Sequence, residues 1–313
     1  MAGITRRKSA LVLTVLVLVA GISVEGQQHV AQPEADVSTG DLQGAWRQIG
    51  GEGLLNVKGD QLLSFNKGTL SIFGIVHRRQ ATLVLRNLGE LETWQASVKD
   101  GVLRLSHGET KEYLRLKEAP PEIEVRPVKI PTPRPIPPGR VEEIQKEIAG
   151  RFQHEQKVLN DSSRASQAPA LRAENLKYLM QVVQDVGWLD TGRFGEKTSV
   201  YATILLKHTG ELPLSMAVLP YVEKDLKLTG DGQTYAVLYD SLQLQLGHKQ
   251  RYGTQIGEDS LGNPYILPLE NPAKVDVFLK EMGLPPLSHY MADVSKFLYN
   301  GKPVRLARPE ESE

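Results

Sequence analysis

The chain has 313 residues, 37 of them basic and 37 acidic, with 40% hydrophobic residues and no cysteine. That is ordinary globular composition, at a length with room for two domains, and the balanced charge excludes the basic footprint that a general nucleic-acid binder needs to neutralise phosphates. Without cysteine there is no disulfide, no thiolate site and no lipid-modified cysteine anchor.

Arg6-Arg7-Lys8 precedes an apolar run from Ala10 to Ile22. A positive start, a short apolar stretch and then small residues form the pattern of a secretory signal peptide. The run is shorter than the roughly 20 residues a spanning helix needs. Val24 and Gly26 suit the −3 and −1 positions of a cleavage site, so residues 1–26 are expected to be a signal peptide. An uncleaved membrane anchor is the alternative. Ser9 and Ala10 stand where a twin-arginine signal would carry bulky apolar residues. The expectation is therefore an exported protein, periplasmic or secreted, with no stable membrane span after cleavage. Residues 27–39 are polar and aperiodic and are expected to be a disordered lead.

Residues 40–118 carry a β pattern: short apolar runs separated by turn signals, among them Asn66-Lys67-Gly68, Asn87-Leu88-Gly89 and Lys99-Asp100-Gly101. Asp-Gly between alternating runs is a strong hairpin signal. Period-2 alternation shows in Val102-Leu103-Arg104-Leu105 and in Tyr113-Leu114-Arg115-Leu116. Strands at this spacing predict a small antiparallel barrel or sandwich. The opening Gly44-Ala45-Trp46 resembles that of lipocalin-like domains, in which such a Trp packs across the barrel base. At about 75 residues, a half-size or flattened barrel is expected.

Residues 119–139 are proline-rich, from Pro120-Pro121 to Pro137-Pro138. Proline fixes φ and removes a backbone donor, so an extended spacer between domains is expected rather than a helix or central strand.

From residue 140 to 300 the period becomes helical. Val141, Ile144, Ile148 and Phe152 mark one face of a first helix, and Leu171 through Val186 mark a second that stops at Gly187. Further helices are predicted over about 196–208, 214–228 (with Pro220 as a kink), 233–246, 273–282 and 287–299. Residues 250–269 read as two strands around Asp259–Asn263. The fold class expected is α+β in two domains: a small antiparallel β domain followed by a mainly α-helical domain with one β-hairpin. Residues 301–313 would be a tail.

Candidate sites are few. Gly195-Glu196-Lys197-Thr198-Ser199 lacks the upstream glycine and preceding strand of a phosphate loop and reads as a helix start. The seven histidines show no metal-binding spacing, and no cofactor is expected. His208 falls at the end of a helix, where the dipole favours it. Its ordinary pKa also suits a general base. Asp240 interrupts an apolar helix face, which is costly unless the carboxylate finds a partner such as Arg251, Lys249 or His208. The segment Gln250–Gln255 is expected to open a strand, with Gln250, Tyr252 and Thr254 on one face and Arg251, Gly253 and Gln255 on the other. Gly253 would permit close approach of a ligand or a second backbone, and Arg251 offers a fork for a carboxylate or phosphate.

The stretch Lys249-Gln250-Arg251-Tyr252-Gly253-Thr254-Gln255 resembles the K-Q-x-Y-G-T-Q mark of an uncharacterised bacterial domain family. Gly187-Trp188, Phe194-Gly195, Leu205–His208, Tyr235–Asp240, Val275-Asp276 and Met282–Leu287 continue the likeness, over roughly Arg140 to Tyr299. The chain departs from that pattern at Lys207, Gly210 and Ser241, so a family site that needs those side chains would be altered here. The resemblance implies no established chemistry.

Two functions are weighed. The first is an exported binding or interaction protein of the cell envelope, recognising an envelope component or another protein. The second is a metal-independent exported hydrolase or transferase with His208 and Asp240 as a catalytic pair and Arg251, Tyr252, Thr254 and Gln255 as binding residues. A base needs an orienting partner within hydrogen-bond reach, so convergence of His208, Asp240 and Arg251 on an open cleft would favour the second.

Overall fold

The structure, a computed structural model, describes residues 42–67, 69–79, 81–259 and 261–308. The expected signal peptide and lead lie outside the described residues. Eight antiparallel strands form the first module: β1 (Gly44–Gln48), β2 (Leu54–Lys58), β3 (Gln61–Asn66), β4 (Thr69–Arg79), β5 (Thr82–Asn87), β6 (Glu90–Lys99), β7 (Val102–His107) and β8 (Glu109–Arg115). They run in chain order around a closed barrel, which β1 and β8 complete by pairing Trp46 with Arg115 and Gln48 with Tyr113. The expected small antiparallel barrel is present, in the half-size and not the flattened form, because the short strands still close. Closure removes the open edges that a flattened sheet would expose. The predicted tight turns are present. Leu88-Gly89 and Asp100-Gly101 both take positive φ at each central residue, the backbone of a two-residue hairpin whose twist matches the strands.

Alternation along the strands sends one face into the barrel. Trp46, Leu55, Leu62, Phe73, Leu85 and Leu103 fill it and are almost fully buried. Trp46 closes the base: its indole N–H donates to the Leu42 carbonyl at 2.9 Å, and the Arg115 guanidinium lies 4.1 Å from the ring centroid.

The proline-rich segment is not a free spacer. Pro121–Ile123 forms a 3-10 turn, and Ile123 is fully buried against Ala45 and Leu54 on the outside of the barrel. Val128, Ile130 and Ile136 pack on the helical core, and the Val128 N–H donates to the Pro213 carbonyl at 3.1 Å. Alternating apolar residues give this strap something to bury, although proline denies it regular pairing.

The second module contains α1 (Pro138–Leu159), α2 (Ala168–Val186), α3 (Thr191–Phe194), α4 (Glu196–Thr209), α5 (Leu212–Thr229), α6 (Gly232–Gln245), α7 (Val275–Glu281) and α8 (Leu287–Leu298). One core joins α1, α2, α4 and α5 around Trp188 and Phe194. A second joins α6, α7 and α8 around Tyr252 and Ile266. The predicted hairpin is a three-stranded sheet: β9 (Ile256–Glu258) pairs antiparallel with β10 (Pro264–Ile266), which pairs parallel with β11 (Arg305–Leu306) from the expected tail. No helix of the described residues is long and apolar enough to cross a membrane.

The modules touch at two glycines. A Cβ on Gly74 of β4 would lie 2.0 Å from the Gly247 carbonyl oxygen, and one on Gly247 would lie 2.1 Å from the Gly74 nitrogen. Beside them, the Gln61 side-chain amide donates to the Leu246 carbonyl at 2.8 Å.

Candidate functional site

Asp240 lies on the inner side of α6 and is fully buried. Its carboxylate accepts from the backbone N–H groups of Arg251 (2.8 Å), Tyr252 (3.0 Å) and Thr254 (3.0 Å), and from the Thr254 hydroxyl (2.9 Å). Burial pushes its carboxyl up to about 6, while these four donors pull it down. The segment that supplies them is a loop, not the expected strand. Gly253 takes φ +74 and turns the chain so that the backbone donors on either side of it face one anion. The close approach at Gly253 is made by Leu287 of α8, whose Cδ1 would be 2.8 Å from an added Cβ. Gln250 ties the loop from the other side. Its amide donates to the Gln255 and Leu267 carbonyls at 3.0 and 2.8 Å, and its oxygen accepts from the Gln255 N–H at 2.9 Å.

Four residues of this stretch were expected to bind. Tyr252 and Thr254 are buried, and the half-buried Gln255 spends its amide on the Thr254 hydroxyl at 2.8 Å. Arg251 does not pair with Asp240 through its side chain. Its guanidinium donates to both Glu270 oxygens, at 3.0 and 3.2 Å, and lies 5.2 Å from the centroid of Tyr239.

Arg251 borders an open cleft of about 390 Å³ between the modules. The barrel wall is Asp60, Gly74, Ile75 and Arg86, and the helical wall runs from Tyr239 and Gln243 through Gly247, His248 and Lys249 to Arg251 and Glu270. His248 Nδ1 lies 2.9 Å from the Gln243 side-chain oxygen Oε1 and Nε2 lies 3.4 Å from the Gln61 side-chain amide nitrogen. A neutral ring protonated on Nδ1 satisfies both contacts.

His208 sits elsewhere, in the last turn of α4, and is held by a different acid. Its Nδ1 is 2.7 Å from Glu155 Oε2 of α1, with both side chains at most 2% exposed. Burial holds His208 below its ordinary value, opposed by the Glu155 hydrogen bond and reinforced by Lys207 and Arg172. Burial and the Arg172 charge lower Lys207 to about 8. His208 and Asp240 therefore have separate partners, and the side chains of His208, Asp240 and Arg251 do not form the convergent set that would favour the enzyme reading.

Residues 156–299 match the model of a family of unknown function, DUF6624.

The DUF6624 match takes in His208, Asp240 and the whole 247–255 loop, while Glu155 and the barrel lie outside it. No curated protein and no solved structure matches the chain. Among the described residues, no group of three or more His, Asp or Glu side chains is placed to hold a metal ion.

Sequence reasoning missed two acids. Glu155 continues the Ile144, Ile148 stripe of α1, and Asp225 continues the Leu214, Val218, Val222 stripe of α5. Asp225 accepts from the Thr191 N–H at 3.0 Å and the Ser199 hydroxyl at 2.6 Å, joining three helices of the DUF6624 region. The available signal was an acidic side chain at the next inward position of an apolar stripe, where it must find donors.

Proposed function

We propose that the chain is an exported binding protein of the cell envelope, and that its binding site is the cleft between barrel and helical module. One observation carries the reading. The loop at the heart of the family likeness turns most of its polar groups inward onto Asp240 and Gln250, and leaves His248, Lys249 and Arg251 at a cleft whose other wall is the barrel. A site built by two modules docked backbone to backbone is preorganised, which lowers the ordering cost of binding. Asp60 and Glu270 line the cleft together with Arg86, Lys249 and Arg251, which suits a ligand carrying both charges, such as a peptide segment.

The test is a thermal-shift screen of the exported chain against peptidoglycan peptides and other envelope fragments, with any hit assayed for turnover. The reading expects a saturable shift that weakens about tenfold in Lys249→Glu and leaves the ligand chemically unchanged. Turnover that disappears in His208→Ala would replace it with a hydrolase or transferase.

A further inference from the structure

We infer that the junction of α1, α2 and α4 is a binding site for a small oxyanion, a carboxylate or phosphate group, held by Arg172, Asn175 and Lys207 beside the Glu155–His208 pair. The inference is independent of the cleft. It begins with polar atoms that have no protein partner. Asn175 is fully buried. Its oxygen accepts from Arg151 Nη1 at 3.3 Å, while its Nδ2 is buried with no hydrogen bond among the described residues. The Nε atoms of Arg172 and Arg151 are in the same position, as is Glu155 Oε1. The large majority of buried side-chain polar atoms in folded proteins have a hydrogen-bond partner. Three donors and one acceptor left over around one His–Glu pair therefore mark a place built for something other than the chain itself.

Charge says what that something is. Arg151 is paired with Glu147 at 2.8 Å, one turn earlier on α1. Glu155 is engaged by His208. Arg172 and Lys207 are half-buried, close enough to repel one another, and make no ion pair among the described residues. Two half-buried cations on facing helices share one nearby carboxylate, Glu155, whose charge acts on Lys207 and His208, so positive charge is left in excess and an anion between the cations relieves their repulsion. The buried Asn175 amide would add a neutral donor of the kind that fixes a carboxylate or phosphate oxygen. Glu155 Oε1, the one unpartnered acceptor, suits a hydroxyl or protonated oxygen on the same ligand.

The experiment titrates the full exported chain with sodium acetate and, separately, with sodium phosphate, against sodium chloride at equal ionic strength. It follows the melting temperature and the NMR titration of the His208 ring. One oxyanion is expected to raise the melting temperature saturably where chloride does not, and to move the His208 titration to higher pH, because a bound anion favours the imidazolium. Arg172→Gln and Lys207→Gln should each weaken that response about tenfold or more. Both positions are half-buried, and losing one of two unpaired cations should leave the fold intact or slightly more stable, so a folded variant remains for the comparison. A response to acetate alone assigns a carboxylate ligand, and a response to phosphate alone assigns a phosphate. No response to either, or an equal response in the variants, overturns the proposal and leaves the leftover donors to solvent.

Discussion

Asp240 is a charge placed in an apolar helix face and satisfied by donors 11 to 14 residues further along the chain. Its partners are mostly backbone, so they were invisible to a search for side chains of opposite sign. Replacing it by alanine leaves three backbone N–H groups and one hydroxyl facing a dry cavity. Asp240→Ala should therefore lose about 3 kcal/mol in urea unfolding, and Asp240→Asn less, since one acceptor oxygen survives. A loss of less than about 0.5 kcal/mol for the alanine variant would mean that the loop is held by Gln250 and Gly253 without it. The sequence placed Asp240 in an apolar helix and marked it as needing a partner. It could not choose among partners, because that depends on a glycine turn whose direction only packing against Leu287 sets.

The helices follow their stripes closely, and polar residues on those stripes mark where elements are joined. Asn175 lies at an inward position of α2 between Leu171 and Leu179, whereas Glu155 lies one step beyond Phe152 on the α1 stripe. Their junction sets a pH dependence. The folded chain disfavours a proton on His208, so the unfolded chain binds that proton more readily. Stability is then full above the ordinary histidine value of 6.5 and falls as pH drops through it. Wild type should lose stability relative to His208→Gln between about pH 7.5 and about pH 5.5, measured by urea midpoints at each pH. Relative gain on acidification would show that the Glu155 bond outweighs burial at this junction.

On the scale of the molecule, the barrel and helical module meet where neither backbone can carry a side chain. Gly247 has φ +78, and an added Cβ would collide with Gly74. Gly247→Ala combines left-handed strain of about 1 kcal/mol with that collision. Gly283 offers the control: it has φ +70 and open space around it, so Gly283→Ala carries the strain alone. Wild type and Gly283→Ala should melt in one transition seen equally by helix circular dichroism and by tryptophan fluorescence. Gly247→Ala should split into two, with the modules melting separately. Coincident transitions in Gly247→Ala would mean that the strap around Ile123 and Val128 couples the modules without the glycine contact.

Local chemistry by itself determined the order of the elements, the division into a β and a helical module, the hairpin turns at Asp100-Gly101, the helix stop at Gly187 and the importance of the 247–255 stretch. These depend on period, turn residues and motif, which act over a few neighbouring positions. Closure of the barrel through β1 and β8, the capture of the tail as β11, the pairing of His208 with Glu155 rather than Asp240 and the docking of Gly74 on Gly247 were decided by tertiary structure. Each is a contact between segments far apart in the chain. Which donor meets which acceptor there depends on how whole modules pack, and no local pattern records it.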